Sequence, residues 1–365
     1  MVNELHLNFL KFFVIFGLAP YTRRRQNQQR RRRRQCQCRS QCQHLSHTYP
    51  HNVNYHNKQH YFVHHHHDDN DDVLRGGPNH HLRWQQIYTG ALIILNLLLT
   101  LYGVVVMPFE DKTVISDLVS VIVFVIQMTV IFVVLIETAL SYGEHYRFIE
   151  NIHRIQSLMQ RLLQTQLCSV TLRQRQRRKY FLFIAVVYGS LLLVMLVIFF
   201  VHYYGYFWHA ILAVLIIRTR CLQMLVALDY ICFYLELMNR KLQALISCKN
   251  SQNYHCLDVN YEHLESYEYL ENFKLIYDEI YILHSIYNRI FGVSLVGILT
   301  VIVLDIIIHV YWSLLTTMGY YESYFIVITG ATLLPLTTIF VVLCATGDQC
   351  EKEPVWVVEN SKLTL

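Results

Sequence analysis

The chain has 365 residues, of which 54% are hydrophobic and 16% charged, with a formal net charge of +5. A soluble chain carries roughly 25% charged residues, and here the apolar residues gather in long runs, which excludes the two soluble domains this length would otherwise suit. About 20 consecutive apolar residues are needed to cross a bilayer as a helix. With no water to serve the backbone, each such run must be helical. The predicted fold class is therefore an all-α integral membrane bundle.

Residues 1–21 form an N-terminal amphipathic segment whose apolar stretch, 7–18, is too short to span and lacks a small-residue cleavage site. It is expected as a helix at the inner membrane surface. Residues 22–83 run through Arg30–Arg34, a Gln/Cys stretch, His64–His67 and an acidic cluster at 68–72. No apolar period exists there, so a disordered insert is expected. The arginines read as a topology signal held to anionic membrane lipid rather than as a nucleic-acid site. Cys36, Cys38, Cys42, His44 and His47 match no standard zinc spacing, so no metal is assigned.

The predicted transmembrane domain covers 84–346, with spans at 86–107, 115–137, 180–203, 207–236, 288–313 and 324–346, followed by a tail at 347–365. Trp84, Tyr88, Tyr311 and Trp312 sit at span ends as interfacial anchors. Loops 108–114, 204–206 and 314–323 are short and carry one basic residue, Lys112. Segment 138–179 carries Arg147, Arg154, Arg161, Arg173, Arg175, Arg177, Arg178 and Lys179, and segment 237–287 adds Arg240, Lys241, Lys249 and Lys274. By the positive-inside rule, these segments and the N-terminus face the cytosol. The chain would then be a multi-pass, N-in protein.

The long segments are not featureless. Phe148, Ile149, Ile152, Ile155, Leu158, Met159, Leu162 and Leu163 recur at helical spacing, as do Leu264, Tyr267, Tyr269, Leu270, Phe273, Leu275, Ile276, Ile280, Tyr281, Leu283 and Ile286. Both segments are expected as membrane helices prolonged into the cytosol. The ten cysteines avoid the short loops, so their expected state is the reduced thiol.

Charges inside apolar spans are costly, at about 2.5–3.5 kcal/mol each. Arg218, Arg220, Gln223 and Asp229 lie in the fourth span, Gln127 and Glu137 in the second, and Asp305 and His309 on one helical face of the fifth. Arg218, Arg220, Gln223, Asp229, Asp305 and His309 form the candidate intramembrane polar network. Two readings stand at this point: pairs that set helix register, or the lining of a wet cavity. Pro335 removes one helical hydrogen bond, and a kink is expected there, as an ordinary bend or a gating hinge. No phosphate loop, HExxH, GxSxG or catalytic acid pair is present, so no catalytic residue, enzyme activity or cofactor is assigned.

Taken in order, FFVIFGLAPY (12–21), WQQIYTGALIILN (84–96), HYRFIENIHRIQSLMQRL (145–162), VLIIRTRCLQMLVALDY (214–230), LELMNRKLQALI (235–246) and NRIFGVSLVGILTVIVLDIIIHVYW (288–312) resemble segments of the insect gustatory receptors. The resemblance implies a seven-helix, N-in subunit of a tetrameric ligand-gated cation channel in the plasma membrane of a sensory neuron. Its partners would be a small-molecule tastant and other subunits of the family. The tastant would enter the outer half of the bundle, for which Tyr203, Tyr206, Trp208 and Trp312 are the candidates. The family's seventh helix lines the pore and carries a Thr-Tyr…Gln-Phe signature. Residues 346–365 are too polar for it, so a C-terminally incomplete subunit, non-conducting alone, is expected. The alternative is a multi-span transporter with a midplane polar site at Arg218, Arg220, Asp229, Asp305 and His309.

Overall fold

The computed structural model describes residues 13, 14, 16, 18, 79–106, 114–162, 169–201, 207–250 and 267–362. Among them the regular structure is helical throughout: α1 Asn79–Val106, α2 Val114–Leu140, α3 Tyr142–Leu162, α4 Ser169–Val201, α5 Phe207–Asn250, α6 Tyr267–Thr317 and α7 Tyr324–Lys362. Six of these, all but α3, are long and apolar enough to cross a membrane, with candidate spans at Gln86–Gly103, Val121–Leu140, Lys179–Val201, Ile211–Gln243, Glu271–Thr317 and Tyr324–Cys350. Each overlaps one of the six spans read from the sequence.

The chain divides into two compact units. Residues 20–88 form one, of which the described part is the start of α1; residues 1–19 and 89–365 form the other. Within the larger unit α5 is the central helix. Every residue from Arg218 to Leu228 is buried. A helix buried all round must be packed by protein on every side, and α5 is flanked by α2, α6 and α7. In turn α6 lies against α2, α3 and α7, and α4 against α7.

The outer faces show the opposite of soluble packing. α1 turns Ile94, Leu98, Leu101 and Val105 outward while Thr89 and Asn96 point inward. Thr89 Oγ1 hydrogen-bonds the Tyr142 hydroxyl. Asn96 Nδ2 returns a bond to the Leu92 carbonyl at 2.8 Å. Polar groups inside and apolar side chains outside is the arrangement that lipid favours, because lipid offers polar groups no partner.

Helix α3 follows α2 almost without a break: Ser141 N–H donates to the Glu137 carbonyl and His145 N–H to the Ser141 carbonyl. Phe148, Ile152, Ile155 and Met159, spaced at three and four, are its buried stripe. Arg154 on α3 pairs with Glu279 on α6 at 2.9 Å, and Gln156 Nε2 reaches the Tyr234 hydroxyl on α5 at 2.9 Å. The prolonged helices predicted at both long segments are therefore present and packed together. At the far end of α6, Gly319 adopts φ +82° and closes the helix with bonds from Gly319 N–H to the Thr316 carbonyl and Tyr320 N–H to the Leu315 carbonyl. This paired closure needs a left-handed residue, a conformation glycine adopts without steric cost.

Three expectations change. Phe13 and Leu18 are buried in the bundle core rather than lying at its surface, because the Leu18 carbonyl accepts a bond from Gln223 Nε2 at 2.8 Å. Helix α7 continues to Lys362, beyond the boundary predicted at 346, and runs unbroken through Pro335. Cys232 on α5 and Cys350 on α7 are joined as a disulfide, with Cα atoms 5.1 Å apart, where free thiols were expected. Packing of α5 on α7 brings two positions 118 residues apart face to face, and no sequence spacing shows this. The stretch 22–78, including the candidate metal-binding cysteines and histidines, lies outside the described residues.

Candidate functional site

The polar residues singled out in the sequence do not form one network; they separate into three clusters along the bundle. The antiparallel packing of α2 on α6 sets two of them. Glu137 faces Ser294, and Gln127, ten residues back on α2, faces Asp305, eleven residues on along α6. Ten residues of helix rise about 15 Å, so the clusters occupy different depths.

The first cluster centres on Arg220, which is fully buried. Its Nη1 donates to Gln223 Oε1 at 2.8 Å, and its Nη2 donates to Glu137 Oε2 at 3.2 Å and to the Ile290 carbonyl at 2.7 Å. The guanidinium also lies 4.4 Å from the centre of the Phe291 ring, a cation–π contact. Glu137 in turn accepts from the backbone N–H groups of Val293 and Ser294, each at 3.1 Å, and from the Ser294 hydroxyl. In a regular helix those N–H groups serve carbonyls four residues back, and the Ile290 carbonyl serves Ser294. Here both sides of that turn of α6 are engaged by an ion pair built from two other helices.

His145, at the start of α3, closes this cluster. Its Nδ1 lies 3.0 Å from the Ser141 carbonyl and its Nε2 3.5 Å from Arg220 Nη1. Its ring meets Phe291 edge-on at 5.8 Å. Burial, reinforced by the neighbouring Arg220 charge, pushes the imidazole down to about 3. His145 is therefore neutral at any physiological pH, its Nδ1–H donating to Ser141 and its Nε2 turned to the guanidinium. Sequence reasoning placed His145 on an amphipathic helix and missed this role. Its position about two turns beyond Glu137, at the junction of two helices, was the available signal.

The second cluster is Asp305 with Gln127. Gln127 Nε2 donates to both carboxylate oxygens, at 2.9 and 3.0 Å. His309 lies one turn further along α6, and its ring stands edge-on to the Trp312 ring at 5.5 Å. The third cluster joins Lys179 on α4 to Asp229 on α5 at 3.0 Å, with Thr346 Oγ1 on α7 at 3.5 Å from the same ammonium. It lies close to the Cys232–Cys350 bond. Arg218 acts on Asp305 through its charge and hydrogen-bonds elsewhere. It donates to the Val187 carbonyl, with Ser190 Oγ at 3.5 Å, and so ties α5 to α4.

Of the aromatic candidates, Trp312 is half-buried beside His309. Tyr203 and Tyr206 lie outside the described residues, as does the side chain of Trp208. Pro335 is buried, and the neighbouring Thr332 and Thr338 hydroxyls bond back to the Ile328 and Leu334 carbonyls at 3.0 and 2.7 Å. No group of three metal-ligating side chains exists among the described residues.

Six membrane-competent helices, the polar-laced α5 among them and central, define a multi-span, all-α integral membrane protein. The chain belongs to the 7tm Chemosensory receptor family, whose sequence pattern matches residues 75–360. It is 25% identical over 277 residues to the protein named "Putative gustatory receptor 39b" of Drosophila melanogaster, a match covering 75% of this chain and 73% of that one. No solved structure matches it. The family is one of receptors rather than enzymes.

Proposed function

We propose that this chain is a gustatory chemoreceptor subunit: part of a tetrameric, ligand-gated cation channel of the plasma membrane, assembled with like subunits and opened by a small-molecule tastant. The observation that carries this reading is the family match across nearly the whole transmembrane domain, together with likeness to a protein named as a gustatory receptor. The N-terminus and the segments 138–179 and 237–287 face the cytosol, supported by their basic residues against the single Lys112 of the short loops. The tastant then enters from the opposite end, near Trp312 and the candidates Tyr203, Tyr206 and Trp208. Under this reading the clusters at Arg220, Gln223 and Glu137, at Asp305 and at Asp229 hold the helices in register, and Pro335 is the hinge point of the continuous α7.

None of the six spans carries the Thr-Tyr…Gln-Phe pattern of the family's pore-lining helix. These 365 residues expressed alone are therefore expected to bind without conducting. Patch-clamp recording from cells expressing this chain with other gustatory receptor subunits tests the proposal. Tastant-evoked cation current that requires this chain supports it. Solute uptake with no current in any combination contradicts it and favours a transporter.

A further inference from the structure

Cys350 is the last residue of the α7 span, and Glu351, Lys352 and Glu353 follow it, so its bond to Cys232 lies at the water boundary of the bundle. Under the proposed orientation that boundary faces the cytosol, where a disulfide is characteristically transient, catalytic or redox-sensing. The two sulfurs differ in access. Cys232 is 4% exposed, whereas Cys350 is half-buried. Each sulfur also faces a backbone carbonyl of the opposite helix: Cys232 Sγ lies 3.5 Å from the Thr346 carbonyl, and Cys350 Sγ 3.9 Å from the Leu228 carbonyl. Each of those carbonyls stands four residues before the other cysteine. In a reduced chain both S–H groups therefore find acceptors with the helices where they are. The Lys179 ammonium, bonded to Asp229 at 3.0 Å and 3.5 Å from Thr346 Oγ1, holds α5 and α7 together at this level without help from sulfur. The joined and the open pair thus fit one backbone arrangement.

We propose that Cys232 and Cys350 are a reversible oxidation site, a latch between the central helix and α7 that glutathione opens and a peroxide closes. In opening, a glutathione thiolate attacks the accessible Cys350 Sγ. The bond to Cys232 breaks, and Cys232 Sγ leaves as a thiolate and takes a proton. A second glutathione thiolate attacks the glutathione sulfur of the mixed disulfide and frees Cys350, so two glutathiones leave as one glutathione disulfide. In closing, the Cys350 thiolate attacks hydrogen peroxide and becomes a sulfenic acid, releasing water. Cys232 sulfur then displaces the hydroxyl as a second water and the bond forms, two electrons having passed from the sulfur pair to the peroxide. The closed latch ties a loop with a sequence separation of 118 residues, which takes in all of α6. Such a closure restricts the unfolded chain and fixes α7 against α5. The inference rests on the receptor reading for the side of the membrane that the site faces, and adds to it a regulation by cytosolic redox state.

Purified full chain in nanodiscs, equilibrated with mixtures of glutathione and glutathione disulfide, serves the test. The readouts are mass mapping of alkylated Cys232 and Cys350, and thermal unfolding. Millimolar glutathione should open the bond in a chain that still elutes as a single folded species. Hydrogen peroxide, added after the glutathione is removed, should then restore the bond between the same two cysteines. The closed form should unfold several degrees above the open one. Cys232→Ser and Cys350→Ser should each abolish that redox-dependent difference, and the wild-type cycle decides the matter where a serine variant fails to fold. A bond that glutathione opens only when the chain unfolds overturns the proposal. So does an opened pair that fails to re-form, or equal unfolding of the two forms. The two readings fail separately: a bond inert to glutathione sinks the latch and leaves the receptor, whereas epitope tags showing the opposite orientation sink the cytosolic placement and leave the chemistry of the pair.

Discussion

Arg220 on α5 and Glu137 on α2 form an ion pair at 3.2 Å inside the bundle, and both partners also grip the backbone of the same turn of α6. Three helices are thus tied at one point. The desolvation cost of such a pair is met only while both charges remain. Removing one partner of a buried pair typically costs about 3–5 kcal/mol, whereas replacing both is far milder. Arg220→Met alone should lose stability in that range in unfolding of the detergent-purified chain. The double change Arg220→Met with Glu137→Leu should recover much of it, because no charge is then left buried without its partner.

His145 gives the same junction a pH dependence. In the folded chain its pKa is lowered to about 3 by burial and by Arg220. In the unfolded chain it returns to about 6.5. Between those values the unfolded chain binds the extra proton, so stability rises with pH across the window. The contribution of His145 is complete above about pH 6.5 and drains away as the pH falls toward 3. Unfolding midpoints measured at pH 7, 6 and 5 should decline, and His145→Phe should flatten the part of that decline due to one proton.

Gly319 closes α6 with a left-handed turn at φ +82°, and no neighbouring atom lies within 4 Å of where a Cβ would stand. The cost of Gly319→Ala is therefore conformational alone, about 1 kcal/mol. A thermal midpoint a few degrees lower, with ligand response unchanged, is the expected result.

The Cys232–Cys350 bond lies at the end of the bundle that the proposed orientation assigns to the cytosol. In the folded, unreduced chain alkylation should therefore label neither cysteine, and after reduction and unfolding both; labelling of both without reduction would contradict the bond.

Much of this fold was legible because lipid demands long apolar runs. All six spans, and the helical nature of 142–162, follow from periodicity and length alone. The site was only partly legible. The sequence marks Arg220 as an unusual charge but does not say which acid it meets. Its partner Glu137 lies 83 residues away, and both converge on backbone groups of Val293, Ser294 and Ile290, which no side-chain pattern reveals. The reading of Arg218, Arg220, Asp229, Asp305 and His309 as one network placed them by span, whereas helix face and depth sort them into separate clusters. His145 and Lys179 went unrecognised because each looked like an ordinary member of a basic, amphipathic stretch. Leu18 was read as surface-bound because a short apolar segment carries no sign of the Gln223 side chain that receives it.

The central claim is that six helices cross the bilayer with the basic stretches left on the cytosolic side. Epitope tags inserted before Trp84, beside Arg175 and in the Met318–Ser323 turn, each probed on intact and permeabilised cells, test it directly. The first two tags should be reached only after permeabilisation, and the third should be reached on intact cells. Surface labelling at Arg175 or before Trp84, with the 318–323 tag hidden, would contradict the assigned orientation and the receptor geometry built on it.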